Sequence, residues 1–113
     1  MSAAQYKLNN LIVIIDNNHI CYDGATDDIM SLGDIAEKFR AFGFETVTCD
    51  GHSIESLLGA FAGISGEKPA ALIAETVKGH GISFAENRPE WHQHAMTEQQ
   101  YELALKEITE AYE

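Results

Sequence analysis

One stretch decides the fold: Leu11-Ile-Val-Ile-Ile15, followed directly by Asp16-Asn-Asn18. Most of the apolar residues are β-branched, and a run that is apolar on both faces is typical of a strand covered from both sides in a parallel sheet. We therefore predict a central strand at this position. The polar residues that follow are turn formers, so we expect the chain to continue as a loop to about Met30.

Two more strands and three helices are predicted further along the chain. The strands are expected at 44–49 and 70–75, and capping residues mark the helices at Ser31 followed by Asp34, at Ser53 and at Thr97. A long segment with little periodicity, 76–96, separates the third strand from the last helix, and such segments often carry function. The apolar stripes expected on the helices are Ile35, Phe39 and Phe42, then Ile54, Leu57, Leu58 and Phe61, and finally Tyr101, Leu105, Ile108 and Tyr112.

This alternation of strands and helices predicts the fold class. Right-handed crossovers between strands give a parallel sheet, so we expect an α/β fold with a three-layer parallel β-sheet and flanking helices. A chain of 113 residues is expected to form a single domain over 1–113. Three strands are few for such a sheet, because a central strand at 11–15 needs neighbours that the pattern does not obviously provide.

Composition narrows the class of protein. Lys and Arg number 7 against 18 Asp and Glu, a net charge of −11, which argues against a nucleic-acid partner. No apolar run approaches the ~20 residues of a membrane span, and the first residues lack the pattern of a secretory signal. Cys21 and Cys49 have neither metal-like nor redox-like spacing, so we expect reduced thiols and a cytoplasmic location.

The loop after the first strand contains a candidate metal site. An Asn side-chain oxygen and a backbone carbonyl two residues later can reach one hard cation, and Asn18 and Ile20 have that spacing. In parallel sheets ligands bind at the carboxyl ends of strands, and this loop follows the carboxyl end of the first predicted strand. The same residues also suit an ordinary turn after a strand, and the pattern alone does not choose between the two interpretations.

The 76–96 segment offers two weaker candidates. Lys78-Gly-His-Gly81 could bind an anion through its cation and backbone amides, or it could be a connector, which the pattern favours because the run matches no phosphate-loop motif. His92 and His94 invite a zinc site together with His80. Zinc is disfavoured, because no Cys is near and the histidines lack a well-spaced third ligand.

Several motifs, taken in chain order, resemble transketolase over essentially the whole chain. They are Tyr6 to Asn18, Asp23-Gly24, Phe42-Gly-Phe44, Asp50-Gly-His52, Thr76-Val-Lys-Gly79 and Glu90-Trp-His92. The chain looks like the later part of the domain that binds the diphosphate of thiamine diphosphate, as found in the N-terminal subunit of split transketolases. The resemblance implies transfer of a two-carbon ketol unit between ketose and aldose sugar phosphates, in the manner of the pentose phosphate pathway.

The resemblance also implies roles for three residues. Asn18 matches the Asn that ends the family's cofactor motif, so its side chain and the carbonyl of Ile20 would be ligands of Mg²⁺ or Ca²⁺. His92 matches the family histidine that contacts the diphosphate and the substrate side of the active site. A catalytic role for His92 in proton handling is implied by the same match.

The sequence also differs from the transketolase pattern at several places. Gly-Asp-Gly is absent from the 113 residues, and so are the acidic metal ligand within it and the pyrimidine-binding domain. Met1 to Gln5 look like the middle of a family helix, so the chain is expected to be a partial diphosphate-binding domain, inactive alone and assembled with chains that supply the missing parts. His19 stands where a small residue, often Gly, is usual.

Two other functions stay open on the sequence. A truncated transketolase relative could act as a non-catalytic binding or regulatory module. A small flavodoxin-like anion-binding domain is the weaker alternative, and failure to bind thiamine diphosphate with partner chains present would favour it.

Overall fold

The computed structural model describes residues 1–111. The helices are α1 (Ser2–Gln5), α2 (Thr26–Met30), α3 (Ile35–Ala41), α4 (Ile54–Ala62) and α5 (Glu98–Ala111), with a 3₁₀ turn at Pro89–His92. The strands are β1 (Ile12–Asn17), β2 (Ile20–Cys21), β3 (Gly24–Ala25), β4 (Glu45–Asp50) and β5 (Ala70–Glu75). The hairpin β2–β3 and helix α2 occupy the segment predicted to be a loop, and that part of the prediction is wrong. Both elements are too short to show a periodic pattern.

Contacts divide the chain into two compact units. The first, here the sheet unit, contains Met1–Asn17 and Leu32–Thr76, and the second, here the loop unit, contains Asn18–Ser31 and the chain from Val77 onward. Each unit therefore combines two stretches that are separated in sequence. Tyr112, the last position of the predicted α5 stripe, lies outside the described residues.

The sheet unit is built on three parallel strands in the order β1-β5-β4. β5 lies in the centre, and its residues Ala71 and Leu72 are 0% exposed. The prediction of a central β1 is therefore wrong for the described sheet, because β1 lies at its edge. A strand's own composition does not set its place in the sheet; that place depends on pairing with distant strands, and the small residues of β5 fit between helices on both faces.

The predicted three-layer α/β class is confirmed. The connection from β1 to β4 crosses β5 in one direction and the connection from β4 to β5 returns in the other, so right-handed crossovers place α3 and α4 on opposite faces. The core between α4 and the sheet consists of Cys49, Ala60, Leu72 and Ala74, with Val47 and Leu57 packed against it.

The apolar stripe predicted on α4 is only partly buried. Leu57 packs on the core, whereas Ile54, Leu58 and Phe61 are 71%, 65% and 41% exposed. The helix rests on the sheet through Leu57 and the small Ala60, and this narrow contact leaves the rest of the stripe uncovered. The stripe on α5 behaves similarly, since its buried residue is an alanine, Ala104, rather than one of the predicted large side chains.

The predicted caps at Asp34, Ser53 and Thr97 are confirmed, whereas Ser31 ends α2 instead of starting α3. The side chains of Asp34 and Ser53 each accept a hydrogen bond from the backbone N–H three residues later, at 2.8 and 3.2 Å. Thr97 and Gln100 form a capping box, in which the Gln100 amide donates to the Thr97 hydroxyl at 3.3 Å and the Thr97 amide donates to Gln100 Oε1 at 3.0 Å. These local signals set where the helices begin.

Neighbouring leucines in α4 allow a test of this packing. We expect Leu57→Ala to lower the free energy of unfolding by about 2 kcal/mol, because it empties space in the core. Leu58→Ala should change it by no more than about 0.5 kcal/mol, because that side chain is already in water. Urea unfolding of both variants measures the difference, and equal losses would contradict the packing described.

Candidate functional site

The loop that follows β1 doubles back on itself directly after the strand. Asn18 Oδ1 accepts a hydrogen bond from the backbone N–H of Ile20 at 3.0 Å. His19, between them, has φ of +58°, a left-handed conformation that favours glycine. This conformation gives a physical reason for the small residue that is usual here in the family. His19 adopts it nonetheless, and the turn brings the side chain of Asn18 back to Ile20.

The β2–β3 hairpin fixes this turn. Ile20 pairs with Ala25 and Cys21 with Gly24, so that Tyr22 and Asp23 form the connecting turn. The amide of Thr26 closes the hairpin by donating to the carbonyl of His19 at 2.9 Å. The two predicted oxygen ligands therefore belong to one small hydrogen-bonded element, and oxygen donors of this kind suit Mg²⁺ or Ca²⁺.

His92 lies in the same unit as these ligands. It ends the 3₁₀ turn, which contacts β2, and its ring meets that of Tyr22 with centroids 5.4 Å apart. The structure thus brings the loop of Asn18 and Ile20 together with the turn of His92, although a long stretch of sequence separates them. Tyr22 was not singled out from the sequence, and no pattern around it would have indicated this contact.

The Lys78 to Gly81 segment is closed by its own hydrogen bonds. The amide of Gly81 donates to Glu86 at 3.0 Å, and the Lys78 carbonyl accepts from Asn87 at 2.9 Å. Glu86 also lies 3.3 Å from Nδ1 of His80. An amide that already faces a carboxylate is a poor site for an anion, so the geometry disfavours anion binding by the backbone amides of this segment.

The histidines near Trp91 pack with aromatic rings. The ring of Trp91 has its centroid 5.0 Å from that of Phe84 and 4.9 Å from that of His94. Within residues 1–111, no group of three His, Cys, Asp or Glu side chains is arranged to hold a metal ion.

Two side-chain pairs join the ends of β1 and β5 in the sheet unit. Asn17 Nδ2 donates to both carboxylate oxygens of Glu75, at 2.9 and 3.0 Å, and the hydroxyl of Thr76 donates to Asp16. Gly51, after β4, approaches the same edge, and its amide donates to the Glu75 carbonyl at 2.8 Å. These residues hold the strand ends from which the functional loops depart. Sequence reasoning missed both pairs, because they depend on the register of the sheet.

A carboxylate of α5 holds the middle of the 77–88 segment. Glu107 accepts from the Ser83 amide at 2.8 Å and from the Ser83 hydroxyl at 2.5 Å. These hydrogen bonds stabilise the charged form, so the pKa of Glu107 is lowered from its ordinary value of 4.5.

The cysteines do not form a disulfide. Cys21 and Cys49 are both free thiols, and Cys49 is buried in the core of the sheet unit. Burial, with a smaller contribution from the nearby Asp50, raises the pKa of the Cys49 thiol. A thiol in this position is a packing residue, as expected from the sequence.

The fold and the loop geometry define a class of protein: a parallel α/β domain with candidate metal ligands in the loop that follows a strand. The family described as "Transketolase, thiamine diphosphate binding domain" matches residues 1–110. The chain belongs to the transketolase family.

Relatives of this chain include single subunits of transketolases. One is from the apulose-4-phosphate transketolase of Actinobacillus succinogenes, 44% identical over 96% of this chain and 40% of that protein. Another is its namesake from Phocaeicola vulgatus, 37% identical over 100% of this chain and 41% of that protein. Human transketolase is 38% identical over 94% of this chain and 17% of its own length. The chain thus spans about two fifths of the length of the two apulose-4-phosphate transketolase subunits.

Solved structures agree with the fold. The transketolase of Campylobacter jejuni superposes with a TM-score of 0.88 over 96% of this chain and 17% of that one, at 27% identity. None of the helices formed by residues 1–111 has the length and apolar character that a membrane span requires.

Two glycines with similar backbone angles test how tightly the 77–88 segment is closed. Gly79 and Gly66 have φ of +70° and +72°, but a methyl group would meet the Ala85 carbonyl oxygen at 2.5 Å at Gly79 and nothing within 4 Å at Gly66. Both changes to Ala should destabilise through backbone strain, and Gly79→Ala should cost about 1–3 kcal/mol more because of the clash. Thermal or urea unfolding measures both, and equal costs would contradict a closed segment.

The hydrogen bonds between Glu107 and Ser83 predict that stability depends on pH. A carboxyl with a lowered pKa in the folded state stabilises the fold above its ordinary pKa, and this contribution is lost as the pH falls through the lowered value. Glu107→Gln should therefore reduce stability at pH 7 and make progressively less difference at an acid pH below 4.5, where the wild-type carboxyl becomes protonated. Glu102→Gln, on the same helix, is the control. Denaturant unfolding at both pH values tests this, and a pH-independent loss would contradict it.

Proposed function

We propose that this chain forms the diphosphate- and metal-binding part of a transketolase. Its coverage of about two fifths of the apulose-4-phosphate transketolase subunits supports a match to part of the family's diphosphate-binding domain. The resemblance of its motifs assigns it to the later part of that domain. The reaction is transfer of a two-carbon ketol unit between ketose and aldose sugar phosphates, such as those of the pentose phosphate pathway. One observation carries the proposal: the hairpin with Asn18 and Ile20 contacts the turn that ends in His92.

Asn18 Oδ1 and the Ile20 carbonyl are the proposed ligands of Mg²⁺ or Ca²⁺. The structure fits this role, because the Asn18 oxygen is held beside Ile20 by the amide of that residue, and an amide oxygen has a second lone pair for a cation. Mg²⁺ demands near-octahedral geometry and gives up water reluctantly, so two ligands from one loop bind it weakly. Tight binding requires the acidic ligand and the diphosphate as well.

His92 is the proposed contact to the diphosphate and to the substrate. It is an exposed residue at the end of the 3₁₀ turn, so its imidazole is accessible to a ligand. Thiamine diphosphate, when bound, would supply the nucleophilic carbon for the transfer reaction. His92 positions the phosphorylated substrate and moves protons at its oxygen atoms, a role for which an imidazole is well suited near neutral pH.

The missing parts of the site are proposed to come from outside these 113 residues. Gly-Asp-Gly does not occur in the sequence, and the pyrimidine-binding domain is absent as well. β1 lies at the edge of the described sheet, with Ile12 and Ile14 39% and 58% exposed on one face. An uncovered apolar edge of this kind favours association with further protein, so we propose that the chain works as an oligomer with partner chains.

The net charge of the chain also supports the proposal that partner chains complete the site. The chain carries a net charge of −11, while diphosphate and sugar phosphates are themselves anions. Arg40, Arg88 and Lys106 lie beside carboxylates of their own chain, which reduces the positive charge available to a ligand. The compensating charge is proposed to come from the metal, from Lys78 and from partner chains.

The incomplete ligand set also favours one alternative. A chain without Gly-Asp-Gly could dock onto other transketolase chains as a non-catalytic binding or regulatory module. In both cases the free thiols of Cys21 and Cys49 suit the cytoplasm, where we propose that the protein acts.

Replacement of Asn18 separates the catalytic proposal from the alternative. In the assembly with partner chains, Asn18→Ala should raise the Mg²⁺ concentration for half-maximal turnover by at least about 10–100-fold, the loss typical even of outer contacts to a metal. Asn10→Ala, in an exposed loop, is the matched control. Turnover with both sugar phosphates at increasing Mg²⁺ measures this. An assembly that turns over equally well with Asn18→Ala, or turnover by the isolated chain, would overturn the proposal.

A further inference from the structure

A pair of aromatic rings joins the hairpin to the 3₁₀ turn. The rings of Tyr22 and His92 have centroids 5.4 Å apart and planes at 85°, the edge-to-face arrangement that aromatic rings prefer. Tyr22 lies in the two-residue turn between β2 and β3, so the hairpin that contains Ile20 also sets its backbone position. The contact therefore connects the imidazole to the element that presents the metal ligands.

The 3₁₀ turn is held separately by its neighbouring residue. Trp91 packs against Phe84 and His94, with centroids 5.0 and 4.9 Å away. These contacts fix the backbone of the turn and leave the side chain of His92 to be oriented by other groups. Tyr22 is 61% exposed, so its ring adds little to a core. Its position against His92 is the feature that needs an explanation.

We propose that Tyr22 is a positioning residue, whose ring holds the imidazole of His92 in a fixed orientation relative to Asn18 and Ile20. This inference rests on the proposed function, in which His92 meets the diphosphate and the substrate. A displacement of about 1 Å in such a group can cost roughly 100-fold in rate. The aromatic ring carries the role, and the hydroxyl is dispensable, because the ring makes the contact.

Nuclear magnetic resonance of the full chain, labelled with ¹³C at histidine, tests the contact without any enzyme assay. We expect nuclear Overhauser effects between the rings of Tyr22 and His92 in the wild type, and the same effects from the phenyl ring in the Tyr22→Phe variant. In Tyr22→Leu, the imidazole resonances of His92 should move to those of an unrestrained histidine. The resonances of His94, which depend on Trp91, should stay in place and show that the turn is still folded.

Turnover in the assembly tests the consequence of the contact. Tyr22→Leu should lower kcat about 10–100-fold with KM for the ketose and the Mg²⁺ requirement nearly unchanged, because an oriented group is lost while the ligands remain. Tyr22→Phe should stay within about twofold of the wild type. Asn18→Ala serves as the contrast, since it should change the Mg²⁺ requirement.

The outcomes separate this inference from the function on which it rests. If Tyr22→Leu leaves the His92 resonances and kcat unchanged, Tyr22 does not position the imidazole, although the proposed function stands. If Tyr22→Phe loses as much activity as Tyr22→Leu, the hydroxyl acts and the ring-based role is overturned. If no assembly shows turnover, the proposed function fails, and the resonances of His92 alone decide whether Tyr22 orients it.

Discussion

Pairing of β5 with β1 on one side and β4 on the other is the constraint on which the rest of the structure depends. Ala70 of β5 is in register with Ile12 of β1 and with Glu45 of β4, and the ladders run in parallel from these residues to the ends of all three strands. Because the strands are parallel and in register, their carboxyl ends lie at one edge of the sheet. The loop with the proposed ligands Asn18 and Ile20 leaves β1 at its carboxyl end, which is the usual place for ligand-binding loops in open α/β sheets.

Side-chain hydrogen bonds at this edge connect the ends of β1 and β5, where the following loops begin. Asn17 is paired with Glu75, and Asp16 with Thr76, immediately before the chain enters the loop unit at Asn18 and at Val77. Hydrogen bonds are directional, so these two pairs limit the paths that the following residues can take. The hairpin after Asn18 and the closed segment after Val77 begin from these fixed ends.

Large apolar side chains are exposed on both the sheet and helix α4. Ile14 is in register with Leu72 of the core, yet it is 58% exposed, and the stripe of Ile54, Leu58 and Phe61 on α4 is also in contact with water. In the proposed function, exposed apolar surface of this kind is available to pack against further protein. In the proposed function, the strongly acidic composition of the chain requires positive charge from a metal and from cations elsewhere.

Residue types and their spacing along the chain were enough to predict several structural features of this protein. The caps at Asp34, Ser53 and Thr97, the strand at Ala70–Glu75 and the α/β class follow from residue types and spacing, because they depend on neighbours in the chain. The tertiary structure alone decided that β5 is central, that Leu57 and Ala60 rather than the whole α4 stripe are buried, and that Tyr22 meets His92. These features depend on pairing and packing between distant segments, and a linear pattern does not specify which surfaces will meet.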